Sequence, residues 1–290
     1  MVTIEEIKKK LICSTTFIIG NEKNAGKTTL LNLLLNHTRE VVAPAYLSIG
    51  IDGEKTDAVY GNLKPRIEAK VNDFVITTDS QITPANFEII HIFPFNNVFG
   101  KIVLAKNKRN CFVELIGPES NSQLKHILET LKNQFNINTI FIDGAVNRLT
   151  QLNALEGSQF IAVFNLTPKN YLTSIDKIKL LCWASTLNKW DIKQSTDKTF
   201  FVDGALTTSK ISQISPDTET IVLEDITKLF LSYSDISKIK NKFNFFLKHK
   251  HNLLGFTLNI KDINIQKLQQ DIAALENNFN FIINPFMMLN

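Results

Sequence analysis

The stretch TTFIIGNEKNAGKTTLLNLLL, residues 15–35, decides the fold. A β-branched, apolar run at 15–19 reads as a buried strand and ends at Gly20. A polar loop follows, then Gly26-Lys27-Thr28-Thr29, then Leu30, Leu31, Leu33, Leu34 and Leu35 on a helix expected over 27–36. Strand, loop, Gly-Lys-Thr and helix, in that order, is the context that gives a phosphate-loop pattern its meaning. Gly26 lets the backbone approach phosphate oxygens with no Cβ in the way. The amides of Asn24, Ala25 and Gly26, with the helix N-terminus at Lys27, Thr28 and Thr29, would hold the negative charge. Lys27 would reach the outer phosphates, and the Thr28 hydroxyl would ligate Mg²⁺.

The general pattern has a glycine five residues before Gly26, where Asn21 stands. Gly20 lies one residue further back, so the loop is one residue longer, and Asn21 is expected to tolerate left-handed backbone. Lys23 precedes Lys27 by four residues. Deviant ATPases that pair across a dimer have a five-residue interval there, so Lys23 reads as a solvated loop lysine.

Over 290 residues, 44% are hydrophobic, 21% are charged and the net charge is +4, which excludes intrinsic disorder and gives no basic face for nucleic acid. The three cysteines, Cys13, Cys111 and Cys182, show no pairing rhythm. Charges are mixed through 1–13 and no apolar run approaches the ~18 residues of a membrane span. The expectation is a soluble, cytoplasmic protein with no membrane association. Only Arg39, Arg66, Arg109 and Arg148 are arginines, so each weighs heavily as a candidate for bidentate phosphate or carboxylate recognition.

Short apolar runs alternate with amphipathic stretches along the rest of the chain, the signature of βα units and a parallel sheet. Helices are expected at 4–13, 122–135, 171–187, 235–246 and 262–275. Strands are expected at 45–49, 139–142, 160–164, 199–202, 220–223, 253–258 and 280–283. Residues 66–115 contain FVITT, FEIIHIF, VFGKIVLAK and CFVELIG with no convincing helix between them, which predicts an antiparallel region. The predicted fold class is therefore α/β: a P-loop NTPase three-layer sandwich with a mainly parallel sheet and an antiparallel β insertion at about 66–115. Residues 1–290 are expected to form a single domain.

In such sheets ligands bind beyond the carboxyl ends of the strands. The strand TIFID ends at Asp143, the arrangement in which a carboxylate holds Mg²⁺ beside a phosphate loop. FFVDGA repeats it at Asp203, which reads instead as a turn or cap accepting from Ala205 or Leu206. Asp52, Glu54 and Asp57 follow the second strand in a switch-like position, where Asp52 or Glu54 would place an attacking water or the metal; an Asp-Gly turn explains them equally well. Glu114 with Gly117 is a further candidate phosphate sensor. Asn259-Ile260-Lys261-Asp262 approximates the guanine-reading Asn-Lys-x-Asp with its lysine one place late, and Asp262 also suits a helix cap, so ATP is preferred over GTP. The five histidines make no metal spacing. KHKH at 248–251 reads as a solvated turn, the aromatic segment around it as a helix, and Cys111 and Cys182 as core residues.

Several short strings recur together: Gly20-x-x-Lys23-Asn24-Ala25-Gly26-Lys27-Thr28-Thr29, Ser48-Ile49-Gly50-x-Asp52-Gly53-Glu54, Lys64-Pro65-Arg66-Ile67, Asp143-Gly144-Ala145-x-Asn147-Arg148 and Gly204-Ala205-Leu206. In this order they resemble the P-loop subunit (the KamB type) of the lysine 5,6-aminomutase reactivase family, in which the longer loop is usual. The chain departs from that family after Arg148, at Leu149-Thr150-Gln151, and around Asn259. The resemblance implies an ATPase that works with a MutS-like partner subunit to drive damaged cobalamin out of an adenosylcobalamin-dependent aminomutase. The expected chemistry is Mg²⁺-assisted hydrolysis of ATP (or GTP) through Lys27, Asp52 and Asp143, with Thr28 and Asp143 on the metal. The alternatives are a small-molecule P-loop kinase or ligase, a GTPase-type metallochaperone, and a nucleotide-gated binding module.

Overall fold

The computed structural model describes residues 4–49, 66–146, 158–276 and 279–285. The first part contains α1 (Ile4–Leu11), β1 (Thr15–Gly20), α2 (Lys27–Arg39), β2 (Ala45–Ser48), β3 (Ile67–Ala69), β4 (Phe74–Thr78), β5 (Phe87–Asn97), β6 (Gly100–Asn107), β7 (Cys111–Val113), α3 (Asn121–Asn133) and β8 (Ile140–Val146). Then come β9 (Gln159–Leu166), α4 (Tyr171–Thr186), β10 (Asn188–Lys189), β11 (Thr199–Phe201), α5 (Thr208–Ile211), β12 (Thr220–Leu223), α6 (Tyr233–Ile239), β13 (Asn244–Leu247), β14 (Asn252–Ile260), α7 (Ile265–Glu276) and β15 (Asn280–Ile283).

Continuously apolar strands need cover on both faces, and they have it. Nine strands form a largely parallel, mixed sheet in the order β15-β14-β9-β1-β8-β2-β4-β6-β5. Phe17, Ile19, Leu47 and Ile142 point to the face covered by α3, α4 and α7. Their neighbours Ile18, Tyr46 and Phe141 point to the face covered by α1 and α2. The result is an α/β fold with two cores, one on each side of the sheet.

The region 66–115 is strand-rich as expected but does not stand apart from the sheet. β4 joins it parallel to β2, and the β6–β5 hairpin extends it antiparallel. Only β3 and β7 form a separate antiparallel pair.

Residues 235–246 are not one helix. The helix α6 ends at Ile239, and β13 lies parallel to β12 in a second sheet ordered β10-β13-β12-β11. The reason is periodicity: Phe245 and Leu247 are buried while Asn244 is exposed, a period of two that a helix cannot use. His251 is likewise no solvated turn residue; it is 2% exposed and meets the Ser158 hydroxyl at 3.3 Å. Burial of Cys182 pushes its thiol up to about 12, so it is an inert core residue, whereas Cys111 is only partly buried.

A polar anchor fixes the far end of α2. Arg39 donates to both carboxylate oxygens of Asp73, Tyr46 donates its hydroxyl to Asp73 Oδ2 at 3.0 Å, and the Lys70 amide adds a further bond at 2.8 Å. Asn32 donates to the Arg66 carbonyl and accepts from the Glu68 amide, tying the same helix to β3. Arg39 is thus committed to structure, and Arg66 lies 4.7 Å over the Phe112 ring. Because Asp73 is 1% exposed, removing its carboxylate leaves the half-buried Arg39 guanidinium with only Asn36 and the Glu68 carbonyl as partners. Asp73→Ala is expected to lower the unfolding free energy by about 3 kcal/mol in a denaturant titration, with Tyr46→Phe costing about 1 kcal/mol.

Candidate functional site

The site begins with a topological constraint. The strands β1 and β9 are parallel neighbours, yet the chain leaves β1 for α2 on one face and β9 for α4 on the other. A crevice opens between the two departing loops at the carboxyl edge, and the loop 21–26 occupies it.

Side chains from adjacent strands shape that loop. The Asn21 amide donates to the Val163 carbonyl at 2.9 Å, and its side-chain oxygen accepts from the Asn165 amide at 3.2 Å. Asn165 in turn donates to Glu22 Oε1 at 2.8 Å. From the end of β14, Asn259 Nδ2 donates to the Ala25 carbonyl. Left-handed backbone falls at Asn24 (φ 62°) and Gly26 (φ 97°), whereas Asn21, the position expected to tolerate it, does not have positive φ. A Cβ at position 26 would also displace the Asn259 amide from its place over the loop.

Gly26 occupies the N-cap position of α2 without any side-chain cap, so the amides of the first turn keep their donors. Lys27 folds back: a Cβ at Gly20 would lie 3.1 Å from its Cδ, which places the lysine stem across the end of β1. Lys27 is 8% exposed, and among the described residues no hydrogen bond or ion pair engages its ammonium. A buried cation beside free helix amides favours an anion. Lys23 and Asn24 are exposed at the loop tip, Ala25 is buried, and Thr28 and Thr29 are half-buried.

The strand β8 supplies the carboxylate. It pairs in parallel with β1, Ile18 opposite Asp143, and the register then breaks so that Gly20 lies opposite Val146. Asp143 is 5% exposed; its Oδ1 accepts from the Gly144 amide at 2.7 Å, and its Oδ2 accepts from the Thr28 hydroxyl at 3.2 Å. Residues 115 apart in sequence thus meet at the mouth of the loop. Further along the edge, Ser48 lies opposite Asp143 in β2, and Gly117 packs on the Ser48 carbonyl so closely that a Cβ would not fit. Glu114 accepts from the Thr77 hydroxyl through its main-chain carbonyl.

Other candidates are not brought here. Asp203 is exposed and follows β11, a strand of the smaller sheet; Leu206 donates to the Lys228 carbonyl instead of to Asp203, and Thr207 caps α5. Asp262 does not cap α7, because Asn264 accepts from the amides of Gln266 and Lys267. Asp52, Glu54, Asp57, Asn147 and Arg148 lie outside the described residues. Asn165 and the clamp role of Asn259 were not anticipated; their only signal is a polar amide ending an apolar strand.

The donor set at the loop suits a hard cation of the Mg²⁺ type. Thr28 and Asp143 present two protein oxygens side by side, leaving the remaining positions to phosphate and water. Among the described residues no three His, Cys, Asp or Glu side chains converge on a common point, and no helix is long and apolar enough to cross a membrane. No protein-family model matches the chain, and no curated protein is significantly similar to it.

Gly26→Ala is expected to cost about 2 kcal/mol in unfolding free energy through its left-handed backbone, and to break the Asn259–Ala25 bond. Thermal unfolding of Gly26→Ala beside Gly204→Ala measures the effect, since position 204 (φ 72°) has open space for a Cβ and isolates the backbone share.

Proposed function

We propose that this chain is a P-loop NTPase that binds a nucleoside triphosphate with Mg²⁺ in the crevice over residues 20–29 and hydrolyses it. The observation that carries the reading is the Thr28–Asp143 contact beside a buried Lys27 that has no partner among the described residues. A generic Gly-Lys-Thr helix start would need neither a carboxylate on the neighbouring strand nor a lysine turned back over its own loop.

In this reading the loop amides and the α2 terminus bind the phosphate chain, and Lys27 holds charge on the outer phosphates. Mg²⁺, when bound, would neutralise phosphate charge as the bond to the leaving oxygen breaks. Thr28 and Asp143 are the residues to hold it, and Gly144 keeps the Asp143 carboxylate oriented through its amide. Asp52 is proposed to place the attacking water, on its position in the sequence.

Phosphate release and nucleotide binding by the full chain test this directly. Lys27→Ala is expected to weaken triphosphate binding about 100-fold or more, the scale for losing a desolvated charge contact. Asp143→Asn is expected to retain nucleotide but lose Mg²⁺-dependent turnover. Unchanged affinity in Lys27→Ala would remove the assignment.

The finer proposal is an accessory ATPase that reactivates an adenosylcobalamin-dependent aminomutase with a MutS-like partner. It is supported by the shared strings from Gly20 to Leu206. Phosphate release should then rise when that partner and an aminomutase carrying damaged cobalamin are added together, and stay at its basal rate with either small metabolites or the intact enzyme.

A further inference from the structure

Ser48 is the last residue of β2 and lies directly opposite Asp143 of β8 in the parallel pairing. Both side chains fall on the face of the sheet that carries α1 and α2, because Tyr46 and Phe141, two residues back in each strand, belong to the core on that side. The helix α2 begins on the same face and brings the Thr28 hydroxyl to Asp143 Oδ2 at 3.2 Å. Asp143 therefore meets Thr28 from the end of β1 and has Ser48 beside it on β2. Ser48 is 2% exposed, and its hydroxyl oxygen is buried with no hydrogen-bond partner among the described residues.

The surroundings of that hydroxyl are closely built. The Ile49 amide donates to the Asp143 carbonyl at 2.9 Å, which fixes the end of β2 against β8. Gly117 leaves room for the Ser48 carbonyl, and a Cβ at Gly144 would lie 3.0 Å from Ser48 Oγ. The Gly144 amide in turn holds Asp143 Oδ1 at 2.7 Å. A buried hydroxyl without a partner lowers stability, and alanine would occupy the same strand position without that cost. Packing therefore does not account for a serine here. A polar atom left open beside a buried carboxylate points to a ligand.

We infer that Ser48 is a positioning residue for the metal, its hydroxyl accepting a hydrogen bond from a water of the Mg²⁺ shell beside Asp143. The inference rests on the triphosphate reading of the loop. Mg²⁺ dehydrates reluctantly and keeps several waters, whose hydrogens need acceptors in a site closed off from solvent. One oxygen of Asp143 is already engaged by the Gly144 amide and the other by Thr28. The Ser48 hydroxyl offers two further lone pairs and rotates to present them. It does so without placing a second negative charge next to the phosphates. Outer partners of this kind orient the ligands of a metal and contribute roughly 10–100-fold to its affinity.

Binding of a fluorescent ATP analogue to the full chain, titrated with Mg²⁺, tests the assignment in Ser48→Ala. The Mg²⁺ concentration at half-saturation is expected to rise about 10-fold. Affinity for the analogue in EDTA is expected to stay unchanged, and the thermal midpoint of the nucleotide-free chain not to fall. A merely structural serine would instead lower the midpoint and weaken binding equally with and without Mg²⁺, and that result overturns the inference. An unchanged Mg²⁺ half-saturation also overturns it and leaves the phosphate loop standing. Failure of the unaltered chain to bind the analogue overturns the loop reading and this inference together.

Discussion

The hydrogen bond from Thr28 to Asp143 is the contact on which the rest of the site depends. It exists only because β1 and β8 are parallel neighbours whose ends fall level, so that a helix starting after one strand meets a carboxylate on the carboxyl half of the other. The break in register after Ile18 and the left-handed Gly144 shape that meeting point: Gly144 packs against Ile49 and Ser48, and its amide holds the carboxylate. Shifting the β8 register by one residue would turn Asp143 away from the loop and into the alternation of the core.

The loop itself is built with little glycine, and amide side chains take over much of the work. Asn21 ties the loop to β9 through the Val163 carbonyl and the Asn165 amide, Asn165 holds the Glu22 carboxylate, and Asn259 of β14 holds the Ala25 carbonyl. Their bonds engage acceptors of the loop, such as the Ala25 carbonyl, and leave the donors at the start of α2 without a side-chain cap. Uncapped amides at a helix start are electropositive without a high net charge. This reconciles a phosphate-binding role with a formal surplus of only four charges.

Much of this was legible in the residues. The Gly-Lys-Thr segment between an apolar strand and a leucine-rich helix located the loop, and the apolar run ending at Asp143 located the carboxylate, because both are local patterns. The partnership of Thr28 with Asp143 was expected through a metal, and the structure adds the direct contact. What the sequence hid was non-local. FVITT gave no sign that β4 would pair in parallel with β2 and extend the main sheet, since pairing direction leaves no trace in a short run. NFFL was read as helix because its neighbours are lysine-rich and its two-residue period is only four residues long. The cap of α7 was assigned to Asp262 although Asn264, two residues on, performs it. Arg39 was a candidate for bidentate phosphate or carboxylate recognition; the structure gives it a carboxylate, Asp73, 34 positions away and buried, a partner that no local pattern names.

The central claim is that residues 24–29 form a cradle for a polyphosphate chain. Backbone amide signals of these residues, followed by NMR during addition of MgATP to the full chain, test it most directly. The account predicts that the amides from Asn24 to Thr29 shift first and furthest, together with Asp143 and Gly144, and that hydrogen exchange at them slows. Millimolar nucleotide that leaves these signals in place while others move, or that moves none, would contradict it.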